Sequence, residues 1–297
     1  MLSGFLKKRV VSGLGAGLFG LLVVGLGGLW FTISVCIIVH LALLEFFRMA
    51  EFTGIKPATK TTLVACQVLL LATHFGTKSG FPGLISAGVL PLAGAAICGW
   101  LLLQPKTGTI SDIAASIFGL FYLGVLPSYW IKLRNLNELD TVSHFATLSN
   151  SPSPSSVFNL GMCITLATCL MIVAFDIGSY FFGRLFGKHS LSIISPSKTI
   201  EGALGGLTSS VLVGAISGFS LNWNMPIFAG GILGSLVAFF SLVGDLTESM
   251  MKRDAGLKDS GDALPGHGGI LDRIDSYLFT PAIVYYVIIL MLPLVNN

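Results

Sequence analysis

The run VVSGLGAGLFGLLVVGLGGLWFTISVCIIVHLALLEFF, Val10 to Phe47, holds a single charged side chain, Glu45. A helix needs about 20 apolar residues to cross the hydrocarbon core of a bilayer, so this run has the length of two crossings, parted at Gly27 and Gly28. Lys7, Lys8 and Arg9 precede it as in a secretory signal, but the apolar stretch is too long for one. Composition extends the reading to the whole chain. Of 297 residues, 53% are hydrophobic and only 10% charged, with a mean hydropathy of +0.85, whereas soluble domains carry about a quarter charged residues. The expected fold is all-α, a polytopic membrane protein.

Nine crossings are predicted, near 10–26, 29–48, 61–76, 84–104, 109–131, 157–178, 201–219, 226–246 and 277–294. An odd number puts the termini on opposite faces, which the positive-inside rule tests. Loops on the N-terminal face would hold fourteen of the seventeen basic residues, leaving Lys78, Lys132 and Arg134 for the other. The N-terminus is therefore expected in the cytoplasm and the C-terminus outside. The Pro/Ser-rich stretch 135–156 reads as a flexible external loop. It divides a scaffold of about five helices (1–134) from a catalytic domain of about four (157–297), with cytoplasmic loops at 177–200 and 247–276. The five cysteines lie within apolar runs without ligand-like spacing and read as packing residues. Gly202, Gly206, Ser210, Gly214 and Gly218 recur every fourth residue, as do Gly230, Gly234 and Ala238. Such small-residue faces let helices pack closely.

Against this apolar background, Ser249–Asp275, SMMKRDAGLKDSGDALPGHGGILDRID, collects nine of the 31 charged side chains and His267. Glycines 266, 268 and 269 allow close backbone approach to a ligand, and Asp272 and Asp275 stand three apart, a spacing that aims both the same way on a helix. Cations for a polyphosphate adjoin carboxylates for its metal. Ionisable groups at membrane depth are functional candidates by default, and four acids qualify: Glu45, Asp112, Asp176 and Asp245. Glu45 also reads as an interfacial ion pair with Arg48, and Asp112 as a helix N-terminal acid favoured by the dipole. Asp176 and Asp245 each close a helix on the cytoplasmic face, so both can reach one shared cavity. Between them Gly183–Gly202 carries Lys198, and Thr199 is placed to start a helix whose N-terminus favours anions.

In order and spacing, Ser249, Lys252, Arg253, Lys258, Asp259, Pro265, Gly266, His267, Gly268, Gly269, Asp272, Arg273 and Asp275 resemble the signature of the phosphatidate cytidylyltransferases, or CDP-diacylglycerol synthases. DIGSYFFGRLFGKH from Asp176 and SPSKTIEG from Ser195 are similar to two further segments of that family. The resemblance implies the reaction of CTP with phosphatidate to give CDP-diacylglycerol and pyrophosphate, in phospholipid biosynthesis at a bacterial cytoplasmic membrane or, alternatively, an organelle membrane. Its nucleophile, a lipid phosphate, is already anionic, so the chemistry calls for Mg²⁺ on carboxylates and cations on the departing oxygens.

On that reading Asp245 and Asp272 are the principal metal ligands, with Asp275 and Asp176 as further candidates and a second cation allowed. Lys252, Arg253 and His267 join the catalytic set, and Lys198, Ser249, Lys258, Gly268, Gly269 and Arg273 bind substrate. CTP, phosphatidate and the bilayer are the expected partners. No nucleic acid is expected, and a homodimer is implied only by the family. Two rivals remain: a CTP-dependent polyprenol or phytol kinase, which would transfer the γ-phosphoryl group, and a secondary transporter with embedded acids and broken helices.

Overall fold

The computed structural model describes residues 15, 17–78, 84–136, 160–221, 223, 225–261 and 268–295. The described residues form helices and no β-strand: α1 (Gly17–Leu26), α2 (Gly28–Phe52), α3 (Thr59–Lys78), α4 (Leu84–Leu102), α5 (Ile110–Leu120), a π turn (Phe121–Val125), α6 (Leu126–Arg134), α7 (Leu160–Phe186), α8 (Ile200–Ser220), α9 (Pro226–Asp254), the single turn α10 (Leu271–Ile274) with a 3₁₀ turn (Asp275–Tyr277), and α11 (Thr280–Val295). Among the described residues seven segments are long and apolar enough to span a bilayer. The expected first crossing contributes only the ten residues of α1 to the described structure, and α3 is diluted by threonines and lysines. Most of the loop expected at 135–156 lies outside the described residues. Its first two, Asn135 and Leu136, are buried, and Asn135 donates to the Thr77 hydroxyl.

Local chemistry sets the helix ends. Thr109 and Asp112 form a reciprocal capping box at the start of α5, and Asp112 also accepts from the Lys56 amide at 2.6 Å, so this buried acid ties two elements together. Thr199 caps α8 through the Gly202 amide. Pro127 has no N–H to donate one turn back, and the chain passes from α5 to α6 through the π turn just before it. Gly27 takes φ +61° between α1 and α2, where a Cβ would collide with the Arg134 guanidinium. Arg134 is buried there because its Nε donates to the Val24 carbonyl at 2.8 Å, at an end of α1 that lacks helical donors.

The C-terminal helices are held by backbone proximity. A Cβ on Gly214 would run into the Gly230 carbonyl and one on Gly230 into that of Gly214, while Ser210 donates to Gly234 O at 2.9 Å. The C-terminal part of the predicted face, Ser210, Gly214 and Gly218, meets α9 at a seam that includes Gly230 and Gly234, while Gly202 and Gly206 pack against α7 at Ser179 and Phe175. At both seams dispersion and polar contacts replace the hydrophobic drive that lipid cannot supply. The five cysteines are free. The core of the N-terminal half, around Leu43, Phe47, Leu123 and Ile131, joins that of the C-terminal half through α11.

Two loop boundaries differ from the expected ones. Helix α7 runs on to Phe186 and α9 to Asp254. At 1.5 Å per residue the 29 residues of α9 extend about 44 Å, more than the ~30 Å hydrocarbon core. The charged turns after Asp245 are therefore helical, with their side chains in fixed register.

Candidate active site

Helical spacing places Asp245, Glu248 and Lys252 on one face of α9. The α10 and 3₁₀ turns approach this face edge-on and bring Asp275. Carboxylate oxygens of Asp245, Glu248 and Asp275 all lie within 4.8 Å of one another. The close approach depends on Gly244, where a Cβ would meet the Asp275 carbonyl. Asp176, exposed on α7, faces Ser276, the residue after Asp275. Lys198 forms an ion pair with Asp245. Asp176 and Asp245, the two acids expected to share a cavity, are brought together with the lysine that lies between them in sequence.

Glu248 was not anticipated from sequence. Its side chain is 1% exposed and pairs through Oε2 with Lys252 Nζ at 2.6 Å. A helical i, i+3 spacing from Asp245 was the available signal, obscured because α9 was expected to end at about residue 246. Asp272 lies outside the trio. Its Oδ1 accepts from Lys252 Nζ at 2.6 Å, and its Oδ2 from the Gly269 amide at 2.8 Å and from the Ser260 amide and hydroxyl, each at 3.0 Å. With both oxygens taken by these donors, Asp272 clasps the loop to α9. Lys252, expected to hold phosphate, is 13% exposed between Glu248 and Asp272. Unlike Lys252, Arg253, Lys258 and Arg273 are exposed, and Ser249 is half-buried. Gly268 has φ +78°, with Asp272 Oδ2 2.7 Å from where its Cβ would stand. His267 lies outside the described residues, together with Pro265 and Gly266.

Glu45 reaches this loop from the other half of the chain. Its Oε1 accepts from the Ile270 amide and its Oε2 from the Leu271 amide, both at 2.9 Å, and the Ser260 hydroxyl stands 3.1 Å from Oε2. The expected pairing with Arg48 is replaced by a carboxylate capping the start of α10. These are free amides at a helix N-terminus, so a negative group is favoured there. Ser260 has one proton for two acceptors, Glu45 and Asp272, and links the two clasps. A Cβ at Gly269 would strike Ser260 Oγ and Glu45 Oε2, so both clasps require glycine at that position. Glu45→Gln should keep the fold but present an amide N–H₂ to one of these donors, shifting α10 and with it Asp275. Turnover is expected to fall by about 10- to 100-fold, with partial recovery at raised Mg²⁺, as measured in steady-state assays across a metal titration.

The electrostatics leave cation demand. Five carboxylates (Asp176, Asp245, Glu248, Asp272, Asp275) face two ammonium groups, Lys198 and Lys252. Among the described residues, Glu248 Oε1, the Tyr122 hydroxyl and the Ser241 hydroxyl are buried without a hydrogen-bond partner. Unpaired buried polar atoms cost about 1–3 kcal/mol each. An all-oxygen donor set of this kind fits a hard divalent cation.

Fold and site together describe a helical membrane protein that gathers a cluster of carboxylates and two lysines around a glycine-rich loop. The chain belongs to the cytidylyltransferase family, whose model matches residues 7–291. It is 45% identical over 297 residues to a phosphatidate cytidylyltransferase of Synechocystis sp., covering 98% of this chain and 99% of that protein. It is 36% identical over 292 residues to "Phosphatidate cytidylyltransferase 4, chloroplastic" of Arabidopsis thaliana, covering 94% and 72%. A phosphatidate cytidylyltransferase of Bacillus subtilis is 28% identical over 286 residues, covering 96% and 98%.

Proposed function

We propose that the chain transfers the cytidylyl group of CTP to phosphatidate, forming CDP-diacylglycerol and releasing pyrophosphate. The observation that carries this reading is the Asp245–Glu248–Asp275 cluster, flanked by Lys198 and Lys252, in a chain that aligns along nearly its whole length with enzymes of that name. A divalent cation, Mg²⁺ by its preference for carboxylate oxygen, would be held by these three residues and would lower the charge repulsion between two anionic substrates. Lys198, with Asp245 as its resting partner, is placed to bind a phosphate oxygen. Arg253, Lys258 and Arg273 form an exposed cationic rim for the triphosphate. Asp272 and Lys252 hold the loop that carries Asp275, while Ser249 and the amides of Gly268 and Gly269 border it. Asp176 is a further candidate metal ligand, and His267 a donor to the leaving group. The phosphatidate phosphate, anionic at neutral pH, needs no general base; the residues have to align it against the α-phosphorus.

The proposed orientation is nine crossings with the N-terminus in the cytoplasm and the C-terminus outside, in a bacterial cytoplasmic membrane. The basic-residue bias supports it. Of the three basic residues left on the other face, Arg134 is engaged at the end of α1 and Lys132 lies 4.2 Å from the Tyr129 ring centroid. Both are used in packing.

The test is product analysis with purified protein, phosphatidate, Mg²⁺ and CTP labelled separately at the α and γ positions. The α label should enter lipid and the γ label leave as pyrophosphate. Lipid carrying the γ label would identify a kinase instead, and no transfer of either label would reject both.

A further inference from the structure

The hydroxyl of Tyr122 has no role in the chemistry set out above, and its surroundings are unusual. Tyr122 lies in the π turn of the N-terminal half, 0% exposed, among the largest fully buried side chains. Its ring is held firmly, stacked on Phe118 (centroids 5.2 Å apart, planes at 16°) and tilted against Phe279 (5.7 Å). Among the described residues the hydroxyl has no hydrogen-bond partner, and the charges that act on it are those of Asp275, Glu248 and Asp245, the three residues of the carboxylate trio. Glu248 Oε1, in that trio, is likewise without a donor.

Apolar packing alone accounts for the ring and not for the oxygen. Phenylalanine would fill the same space without burying an unpaired hydroxyl, which costs about 1–3 kcal/mol. Tyr122 stands in a π turn, a feature that recurs at functional sites, and Phe279, against which its ring packs, follows Asp275 by four residues.

We infer that Tyr122 is a positioning residue whose hydroxyl donates a hydrogen bond into the coordination shell of the cation held by Asp245, Glu248 and Asp275. The recipient is a water that the cation retains. The inference rests on the cation reading of the proposed function. Mg²⁺ characteristically keeps several waters, and outer-shell donors of this kind typically change metal affinity by about 10- to 100-fold.

The test is Tyr122→Phe in the full-length protein in detergent, with Mn²⁺ as the probe, bound Mn²⁺ being read by electron paramagnetic resonance. The expected result has two parts. The metal-free variant unfolds at or above the wild-type temperature, since only an unpaired hydroxyl has been removed, and its Mn²⁺ Kd rises by about tenfold or more. A wild-type Mn²⁺ Kd in Tyr122→Phe overturns the inference. So does a large drop in metal-free unfolding temperature, which would mean that the hydroxyl supports the fold itself. Asp275→Asn separates the two readings. If wild-type protein shows no Mn²⁺ binding that this variant weakens, the cation site itself falls and the inference falls with it. If Asp275→Asn weakens binding while Tyr122→Phe leaves it unchanged, the cation site stands and only the role of Tyr122 is lost.

Discussion

Asp275→Asn is expected to lower cytidylyl transfer by about 10³-fold while leaving the protein folded. The substitution keeps the shape of a 9%-exposed side chain and removes one of three carboxylates whose oxygens lie within 4.8 Å of one another. With Asp275 as a ligand of the proposed cation, its loss would remove several kcal/mol of charge stabilisation, and each ~1.4 kcal/mol is a factor of ten in rate. The stability effect should have the opposite sign. Without metal, removing one of three crowded negative charges relieves repulsion, so the metal-free variant should unfold at the wild-type temperature or higher. Mg²⁺ bound at the proposed site is expected to raise the wild-type unfolding temperature by favouring the folded state, and in the variant that rise should shrink or vanish. Turnover assays and thermal unfolding with and without Mg²⁺ check both parts. A variant that is inactive and also melts early would show that Asp275 holds the fold instead.

Gly244→Ala should cost about 10²-fold in turnover with no ligand altered. The added methyl group would be driven into the Asp275 carbonyl, with the Asp275 carbonyl carbon 3.1 Å away. Both neighbours are backbone, which cannot rotate aside as a side chain would. The 3₁₀ turn must therefore retreat from α9, taking the Asp275 carboxylate out of register with Asp245 and Glu248. Displacements of about 1 Å at a reacting centre can cost about 10²-fold. Gly99→Ala, on α4, where a Cβ meets nothing within 4 Å, is the matched control and should leave turnover unchanged. Steady-state rates for both variants, with Mn²⁺ affinity for Gly244→Ala, separate a displaced metal site from a general packing defect. Equal losses in the two variants would contradict a specific role for the Gly244 contact.

What could be read from the chain alone divides along physical lines. Long apolar runs declare helices because lipid offers the backbone no other partner, and composition and length suffice to see them. The same is true of the small-residue faces of α8 and α9, whose four-residue period is local. The signature stretch and the acids Asp176 and Asp245 stood out because charge is costly where they lie. Glu248 was obscured because the charged residues that follow it, Lys252, Arg253 and Asp254, disguised the last turns of a continuous helix as a loop.

The sequence by itself determined the helical membrane class, the family, and the segments that meet at the site. Each follows from local pattern or from residue order. Tertiary structure decided which carboxylates face one another and which are occupied by donors: Asp275 and Glu248 cluster with Asp245, while Asp272 turns to Ser260, Gly269 and Lys252. It also decided that the N-terminal half takes part, through Glu45 on α2, 225 residues before the Ile270 amide from which it accepts. Side-chain partnership across such separations depends on how helices pack and rotate against each other, and no spacing along the chain records that.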